Sequence, residues 1–288
     1  MPSVRENTKE NMNALLRLYR SEITKESILS YHHHTSVEFC CILSGCGKVG
    51  GDSGEIAVSE GDVLLFAPGQ AHMFSAREDS LSMLTLHFEP RYIWQSQSGF
   101  SGTELLGALL NPPKDYCPRL SGKISEYVFS KILEAEQELK SRRREYECAV
   151  KTLIVQILIF ILRQMSYDKR PKNTDARLCN ISGLEKTIDY IDANIKSDLD
   201  LYVLSEISGM SKSYFCTVFK RYNGIKPWDY ITIKRIDKAL RLIMLSPEKK
   251  MNIAADCGFN NAANFYRAFK KITGRTPGDY EKLSIAMY

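Results

Sequence analysis

The sequence predicts an α+β protein of two domains, in which an N-terminal β-barrel with two packing helices precedes a C-terminal all-α domain. Short apolar runs separated by glycine turns occupy the first third of the chain, a motif is repeated in the last third, and a polar, Pro-containing stretch lies between them. A chain of 288 residues is also long for one core. The predicted boundaries are 1–165 for the first domain, 166–182 for a linker and 183–288 for the second domain.

The N-terminal strands are predicted from four apolar runs at the spacing of a small β-sandwich or barrel. These runs are Val37–Leu43, Glu55–Val58, Val63–Ala67 and Leu81–Phe88. An amphipathic stretch near Met12–Tyr19 precedes them, and the sequence assigns no role to it or to the rest of residues 1–30.

Two helices are predicted after the strands, Ile124–Leu139 and Tyr146–Met165. The second is apolar nearly all round, yet its apolar core, Leu153–Leu162, has about half of the roughly 20 residues that a membrane span needs. We therefore expect a buried helix and no membrane anchor. Its spare face predicts a homodimer, with packing inside the chain as the alternative.

The C-terminal domain contains one motif twice, at an offset of 50 residues, in Phe215–Tyr230 and Phe265–Tyr280. Each copy reads Phe, three residues, Phe-Lys-Arg/Lys, two residues, Gly, two residues, Pro, any residue, Asp-Tyr. A short helix and a glycine turn precede each copy, and Ser211 and Asn260 are placed to cap the helices that follow. Helix, turn and capped basic helix form the helix-turn-helix plan.

Each second helix has an apolar stripe and an opposite face that is free to reach DNA. The candidate DNA contacts are Lys212, Ser213, Cys216, Thr217 and Lys220 in the first unit, and Ala262, Ala263, Asn264, Tyr266, Arg267 and Lys270 in the second. Arg267 is the best candidate for base reading, because a guanidinium can donate two parallel hydrogen bonds to guanine O6 and N7. Thr217 stands at the equivalent position of the first unit.

Positive charge is concentrated in the same region. Residues Met210–Arg275 contain 14 Lys and Arg against 4 Asp and Glu, a balance of +10, so the rest of the chain carries −5 of the net +5. Localised positive charge is typical of phosphate contact. Between the repeats, a helix is predicted from Pro227 to Leu245, roughly 27 Å long. That length is comparable with the roughly 34 Å between successive major-groove faces, so one chain could engage two of them.

Residues Leu201–Tyr280 resemble the DNA-binding region of the AraC family of bacterial transcription regulators. The resemblance implies seven helices in two helix-turn-helix subdomains, double-stranded promoter DNA as a partner, and an effector or dimerisation domain upstream. It assigns the recognition helices to Ser211–Tyr222 and Asn260–Ile272. Thr217 departs from the family pattern, in which many members have arginine.

In the N-terminal domain, the spacing of His32, His34, Glu38 and Gly45, followed by Gly61, Pro68-Gly69 and His72, resembles the two motifs of cupins. This resemblance implies the barrel fold that such regulators often have. All five histidines of the chain lie in this domain. The candidate ligand-binding residues are His32, His34, Glu38, His72 and His87.

Three interpretations of these residues stay open. In the first, they hydrogen-bond a small polar effector such as a sugar. In the second, His32, His34, Glu38 and His72 form a metal centre. In the third, the imidazoles only make hydrogen bonds at the mouth of the barrel and have no ligand. We favour the first, and so expect a transcription regulator with no catalytic residue, resident metal or cofactor. The alternative is a metal-dependent cupin enzyme, or a metal or redox sensor, fused to the DNA-binding domain.

Cysteine usage points to a reducing compartment. The 8 cysteines are dispersed and lack zinc-binding spacing, and the N-terminal residues lack the apolar region of a signal peptide. The sequence therefore predicts a cytoplasmic protein with reduced thiols.

Overall fold

The computed structural model describes residues 7–13, 15–24, 28–51, 54–94, 106, 109–110, 117–164, 181–245 and 253–280. Its N-terminal part is an antiparallel sheet, and its C-terminal part is helical. The predicted α+β class with two domains is thus confirmed. The domain boundaries stay a prediction, since residues 166–180 of the predicted linker lie outside the described residues.

Within the described residues, eight strands form the sheet. Their bounds are β1 Asn7–Asn13, β2 Leu16–Thr24, β3 Ile28–His32, β4 Val37–Gly51, β5 Gly54–Ser59, β6 Val63–Phe66, β7 His72–Phe88 and β8 Arg119–Leu120. They follow the order β1-β2-β7-β4-β6-β8, and β3 also pairs with β7 while β5 pairs with β4. The long strands β4 and β7 are therefore the centre to which most other strands attach.

Side-chain alternation along β4 separates two faces of the sheet. Cys40 and Ile42 belong to one buried cluster, whereas Phe39 and Cys41 belong to another that continues into the helices. Glu38 shares the face of Cys40, and its partner across the β4–β7 ladder is His87. The register of these two strands thus brings Glu38 and His87 to the same face of the sheet.

Most of the unassigned N-terminal stretch Met12–Tyr19 is sheet. Met12 and Asn13 belong to β1 and Leu16–Tyr19 to β2, and β2 pairs along its whole length with the end of β7. Charged residues such as Arg17 and Glu22 alternate with buried Leu16 and Ile23 in β2. The predicted strands also extend further, because β4 and β7 continue through polar and glycine-containing segments.

The helices of the N-terminal part are α1 Arg91–Trp94, α2 Gly122–Ser141 and α3 Tyr146–Gln164. The two long helices are the two that the sequence predicts, and they contact each other through buried aliphatic side chains. None of the described helices is both long and apolar enough to cross a membrane.

The C-terminal helices are α4 Ile181–Ala193, α5 Leu201–Ser208, α6 Lys212–Asn223, α7 Pro227–Leu245, α8 Ile253–Asp256 and α9 Ala262–Thr273. The pairs α5–α6 and α8–α9 are helix-turn-helix units, and α7 connects them, as predicted. Gly209 and Gly258 adopt the positive φ that each turn requires.

Ser211 caps α6 as expected, its side chain accepting a hydrogen bond from the Tyr214 amide. The predicted cap at Asn260 is wrong. Asn261 caps α9 instead, accepting hydrogen bonds from the amides of Ala263 and Asn264. The reason is geometric, since the capping residue directly precedes the first helical residue, Ala262.

Candidate DNA interface and imidazole–carboxylate cluster

The first unit buries one face of α6 and exposes the other. Phe215 and Phe219 are fully buried. The candidate contacts Lys212, Ser213, Thr217 and Lys220 are exposed, and Cys216 is half-buried. The Thr217 hydroxyl donates a 3.1 Å hydrogen bond to the Ser213 carbonyl within the same helix.

The second unit has the same arrangement. Phe265 and Phe269 are buried, and all six candidates on this helix, Ala262, Ala263, Asn264, Tyr266, Arg267 and Lys270, are exposed. The Arg267 guanidinium donates a hydrogen bond to the Asn264 side chain, one turn earlier on the same face. The predicted DNA-facing side chains thus lie on the exposed faces of α6 and α9, and their contact with DNA stays a prediction.

The candidate ligand residues converge in the β domain. His32, His34, Glu38 and His72, here called the imidazole–carboxylate cluster, each offer a ligand atom, and these atoms all lie within 4.8 Å of one another. Nε2 of His34 lies 2.7 Å, and Nε2 of His72 2.9 Å, from the same oxygen of Glu38. His34, Glu38 and His72 are buried.

His87 stands at the edge of this cluster. Its Nε2 is 3.9 Å from Glu38 and 3.0 Å from the hydroxyl of Tyr19, whose ring stacks on it. Its Nδ1 is buried with no hydrogen-bond partner among the described residues. The fifth histidine, His33, instead contacts the Gly69 carbonyl through Nδ1.

Backbone contacts orient the two central imidazoles. Nδ1 of His34 is 2.9 Å from the Ser36 carbonyl, and Nδ1 of His72 is 3.1 Å from the Gln70 carbonyl. Because a carbonyl oxygen can only accept, each Nδ1 carries the proton. A neutral imidazole in this tautomer directs the lone pair of Nε2 at the carboxylate. Two lone pairs and an anion therefore face one another, and a cation, either a proton or a metal ion, would relieve their repulsion.

The electrostatics of the cluster favour an ionised carboxylate. Burial alone would raise the pKa of Glu38, but the positive charge of His72 and the hydrogen bond donated by His34, both of which require imidazoles protonated at the two nitrogens, hold that pKa well below its usual range. Burial lowers the pKa of His87 well below its usual value despite the nearby Glu38. Burial also raises the pKa of the Cys40 thiol, which is therefore a poor thiolate for redox chemistry.

Two contributors to this site are missing from the predicted set. Tyr19 bonds His87, and the Phe66 ring stacks on His72 at a centroid distance of 4.0 Å. Tyr19 belongs to β2, where it shares a face with Arg17 and Ser21. That face could have been assigned from the sequence only if β2 had been predicted. Phe66 lies in a predicted strand, but the sequence does not show whether an apolar ring there lines a binding site or packs in the hydrophobic core.

The fold and the two sites together define a protein with an N-terminal sheet domain that carries a buried polar cluster and a C-terminal double helix-turn-helix. Residues 14–148 match the family model of the AraC-like ligand binding domain, and residues 204–283 match a helix-turn-helix domain model. The chain belongs to the AraC family.

Similar proteins agree with this assignment. A helix-turn-helix regulator of Staphylococcus aureus is 30% identical over 128 residues, which are 44% of this chain and 17% of that protein. LumQ of Photobacterium leiognathi, a probable transcriptional regulator, is 30% identical over 93 residues, 32% of this chain and 38% of its own. The chain thus matches well under half the length of either relative.

Among solved structures, ToxT of Vibrio cholerae superposes with a TM-score of 0.60 at 13% identity, over 93% of this chain and 98% of ToxT. At this identity the likeness concerns the fold alone.

Proposed function

We propose that this protein is a sequence-specific regulator, not an enzyme, whose affinity for promoter DNA changes when an effector binds at the imidazole–carboxylate cluster. One combination of features carries the proposal. Two predicted recognition helices each expose one polar face, and three imidazoles and a carboxylate converge in the domain that matches the AraC-like ligand binding model. Buried polar atoms without partners are costly unless something else satisfies them.

The first candidate effector is a small polar molecule such as a sugar. Imidazoles and a carboxylate can donate to and accept from hydroxyl groups. Nδ1 of His87 is buried with no hydrogen-bond partner among the described residues, so it could bond a polar ligand. Such a molecule would have to separate rings that now touch, because the centroids of His34 and His72 are 5.1 Å apart.

The second candidate is a divalent ion such as Mn, Fe, Ni or Zn. Its support is the convergence of three imidazoles and one carboxylate within 4.8 Å, a mixed donor set that suits these metals. His32, His34, Glu38 and His72 would hold the ion, and its positive charge would satisfy the facing lone pairs of His34 and His72. The ion would then act as the regulatory signal.

One experiment separates the candidates. Thermal unfolding of the purified protein is measured against sugars, sugar acids, divalent metals and fatty acids, the last because ToxT has been solved with an unsaturated fatty acid bound. A ligand at about 100 times its dissociation constant stabilises by about 2.7 kcal/mol. A rise in the unfolding temperature that is lost in Glu38→Gln and kept in His33→Gln would assign the effector to the cluster.

Metal analysis of the same preparations completes the test. About one equivalent of metal that is lost in His34→Ala identifies the ion as effector. A shift with a sugar in metal-free protein identifies the polar effector instead. A ligand that raises the unfolding temperature of Glu38→Gln as much as that of the wild type contradicts the assignment of the site.

The surface of α3 is consistent with a homodimer. Half-buried Phe160 stacks on Tyr127 of α2 at 4.0 Å. Elsewhere on the same two helices, an open groove of about 940 Å³ is lined by Leu133 and Leu153 together with charged side chains such as Glu134 and Glu138. We propose that a second subunit covers these two helices. Sedimentation equilibrium of the wild type and of Phe160→Glu checks the pairing, since the charge should yield monomers.

A further inference from the structure

We infer that residues 31–36 transmit the state of the imidazole–carboxylate cluster to both helix-turn-helix units. This inference rests on the proposed function, because it takes the cluster as the effector site. Within this segment, His32 and His34 belong to the cluster. Tyr31, His33 and Thr35, which alternate with them, lead to contacts with the helical domain.

Tyr31 is the contact to the second unit. It lies next to His32 in β3, and β3 packs against α9. A Cβ added at Gly274 would stand 3.0 Å from Cβ of Tyr31, so the backbone that ends α9 rests directly on this residue. A movement of His32 therefore displaces the neighbour on which the second recognition helix is seated.

His33 and the adjoining turn contact the first unit. The Gly69 carbonyl is 3.0 Å from Nδ1 of His33, and the Gly69 amide donates a 2.8 Å hydrogen bond to the His34 carbonyl. A Cβ at Gly69 would lie 2.7 Å from a methyl of Ile225, in the turn between α6 and α7. Gly69 is thus held by both histidines on one side and abuts the first unit on the other.

Thr35 reaches the connecting helix through Glu89. The Thr35 hydroxyl donates a 3.4 Å hydrogen bond to Glu89, which is buried at the end of β7. Lys234 of α7 donates to the same oxygen of Glu89, and Tyr230 donates a 3.3 Å hydrogen bond to the other oxygen. Glu89 is therefore shared between the segment and the helix that joins the two units.

Arg91 extends this ion network to the start of the helical domain. Its guanidinium lies 3.3 Å from Glu89 and bonds Asp189 and Asp192 of α4 at 3.1 and 2.8 Å. Glu89 and Arg91 are buried, whereas the Asp189 side chain is 67% exposed. Buried charges tolerate few arrangements, because a lost partner leaves a charge uncompensated. A displacement of Thr35 should therefore move the ion network as a unit, and α4 and α7 should move with it. Coupling of this kind is reciprocal, so DNA binding also changes affinity at the cluster.

A double-mutant cycle tests the inference without knowledge of the effector. The probe is the DNA duplex that the wild-type protein selects from a random pool, and the readout is its dissociation constant by fluorescence anisotropy. Glu38→Gln removes the charge around which His34 and His72 are arranged. We expect it to change the dissociation constant at least about fivefold. In a background of Tyr31→Ala with Thr35→Val, the same change should have less than about a twofold effect.

Controls separate transmission from loss of folding. Thr35→Ser keeps the hydroxyl and should preserve the fivefold response, and circular dichroism checks each variant. Where Glu38→Gln does not fold, His32→Gln takes its place in the cycle. Equal effects of the cluster substitution in both backgrounds, or no effect in the wild type, overturn the inference. Failure of the wild type to select any sequence would instead contradict the proposed function.

Discussion

The indole N–H of Trp94 donates a 3.1 Å hydrogen bond to the backbone carbonyl of Tyr222, and the two rings meet edge to face at 5.7 Å. Trp94 belongs to α1 of the N-terminal part, and Tyr222 to the last turn of the first recognition helix. The first recognition helix is therefore held at its C-terminal end by the domain that carries the cluster.

Loss of this contact should destabilise the protein. Trp94→Phe removes the hydrogen bond and part of a fully buried side chain, so the free energy of unfolding should fall by about 1–3 kcal/mol. Urea unfolding followed by circular dichroism measures the change. Trp228→Phe is the matched control, because Trp228 is 45% exposed and should shift stability by less than about 0.5 kcal/mol. Equal losses in both variants would contradict the structural role of Trp94.

Arg267 and Lys220 should affect DNA binding in different ways. Arg267→Ala should cost about 1–3 kcal/mol on the selected duplex and relax preference at one base pair, because it removes a bidentate donor. Lys220→Ala should weaken binding to all DNA sequences alike and reduce the salt dependence of binding. Binding constants on selected and random duplexes at two salt concentrations measure both effects. Equal losses on the two duplexes for Arg267→Ala would rule out base reading by that side chain.

The cap of the second recognition helix offers a test between neighbouring asparagines. Asn261→Ala removes the acceptor for two amides of α9 and should lower the free energy of unfolding by about 1 kcal/mol. Asn260→Ala, one residue earlier and also exposed, should change it by less than about 0.5 kcal/mol. Thermal and urea unfolding of the two variants give the comparison. A larger loss in Asn260→Ala would mean that the helix begins elsewhere.

The ion pair between Arg20 and Glu136 predicts a pH-dependent stability. Arg20 of β2 donates hydrogen bonds of 2.6 and 2.7 Å to the two oxygens of Glu136 on α2. Burial would raise the pKa of Glu136, but the hydrogen bonds from Arg20 and Lys140 lower it below its ordinary value. Because the folded pKa is depressed, the stabilisation is present above the unfolded pKa, about 4.3, and is lost as pH falls through the folded value.

Glu136→Gln should accordingly lower the free energy of unfolding at pH 7 by about 1–2 kcal/mol, a modest value because the Arg20 side chain is 42% exposed. The difference from the wild type should shrink as pH falls below about 4. Urea unfolding at several pH values measures it. Glu134→Gln on the same helix is the control, since its carboxylate is half exposed and its partner is Lys131. A difference that stays constant down to pH 3 would contradict the ion pair.

Much of the helical domain follows from local sequence. The stripe of Phe215 and Phe219, the glycine turn at Gly209 and the cap at Ser211 are short-range signals, and each carries its own structural preference. Their repetition at Phe265 and Phe269 made a double helix-turn-helix predictable. The outward direction of Arg267 follows from the same helical period.

The arrangement at the cluster and between the domains depended on tertiary structure. Glu38 and His87 meet because β4 and β7 pair in one register, and no local pattern sets the register of strands joined by long segments. The contact of Glu89 with Lys234 joins residues 145 positions apart. Periodicity, caps and turns act over a few residues, and they determined the helices, most of the strands and the candidate residues. Long-range packing decided which buried charges share an oxygen and which domain each recognition helix contacts. Such packing leaves no local signal in a single sequence.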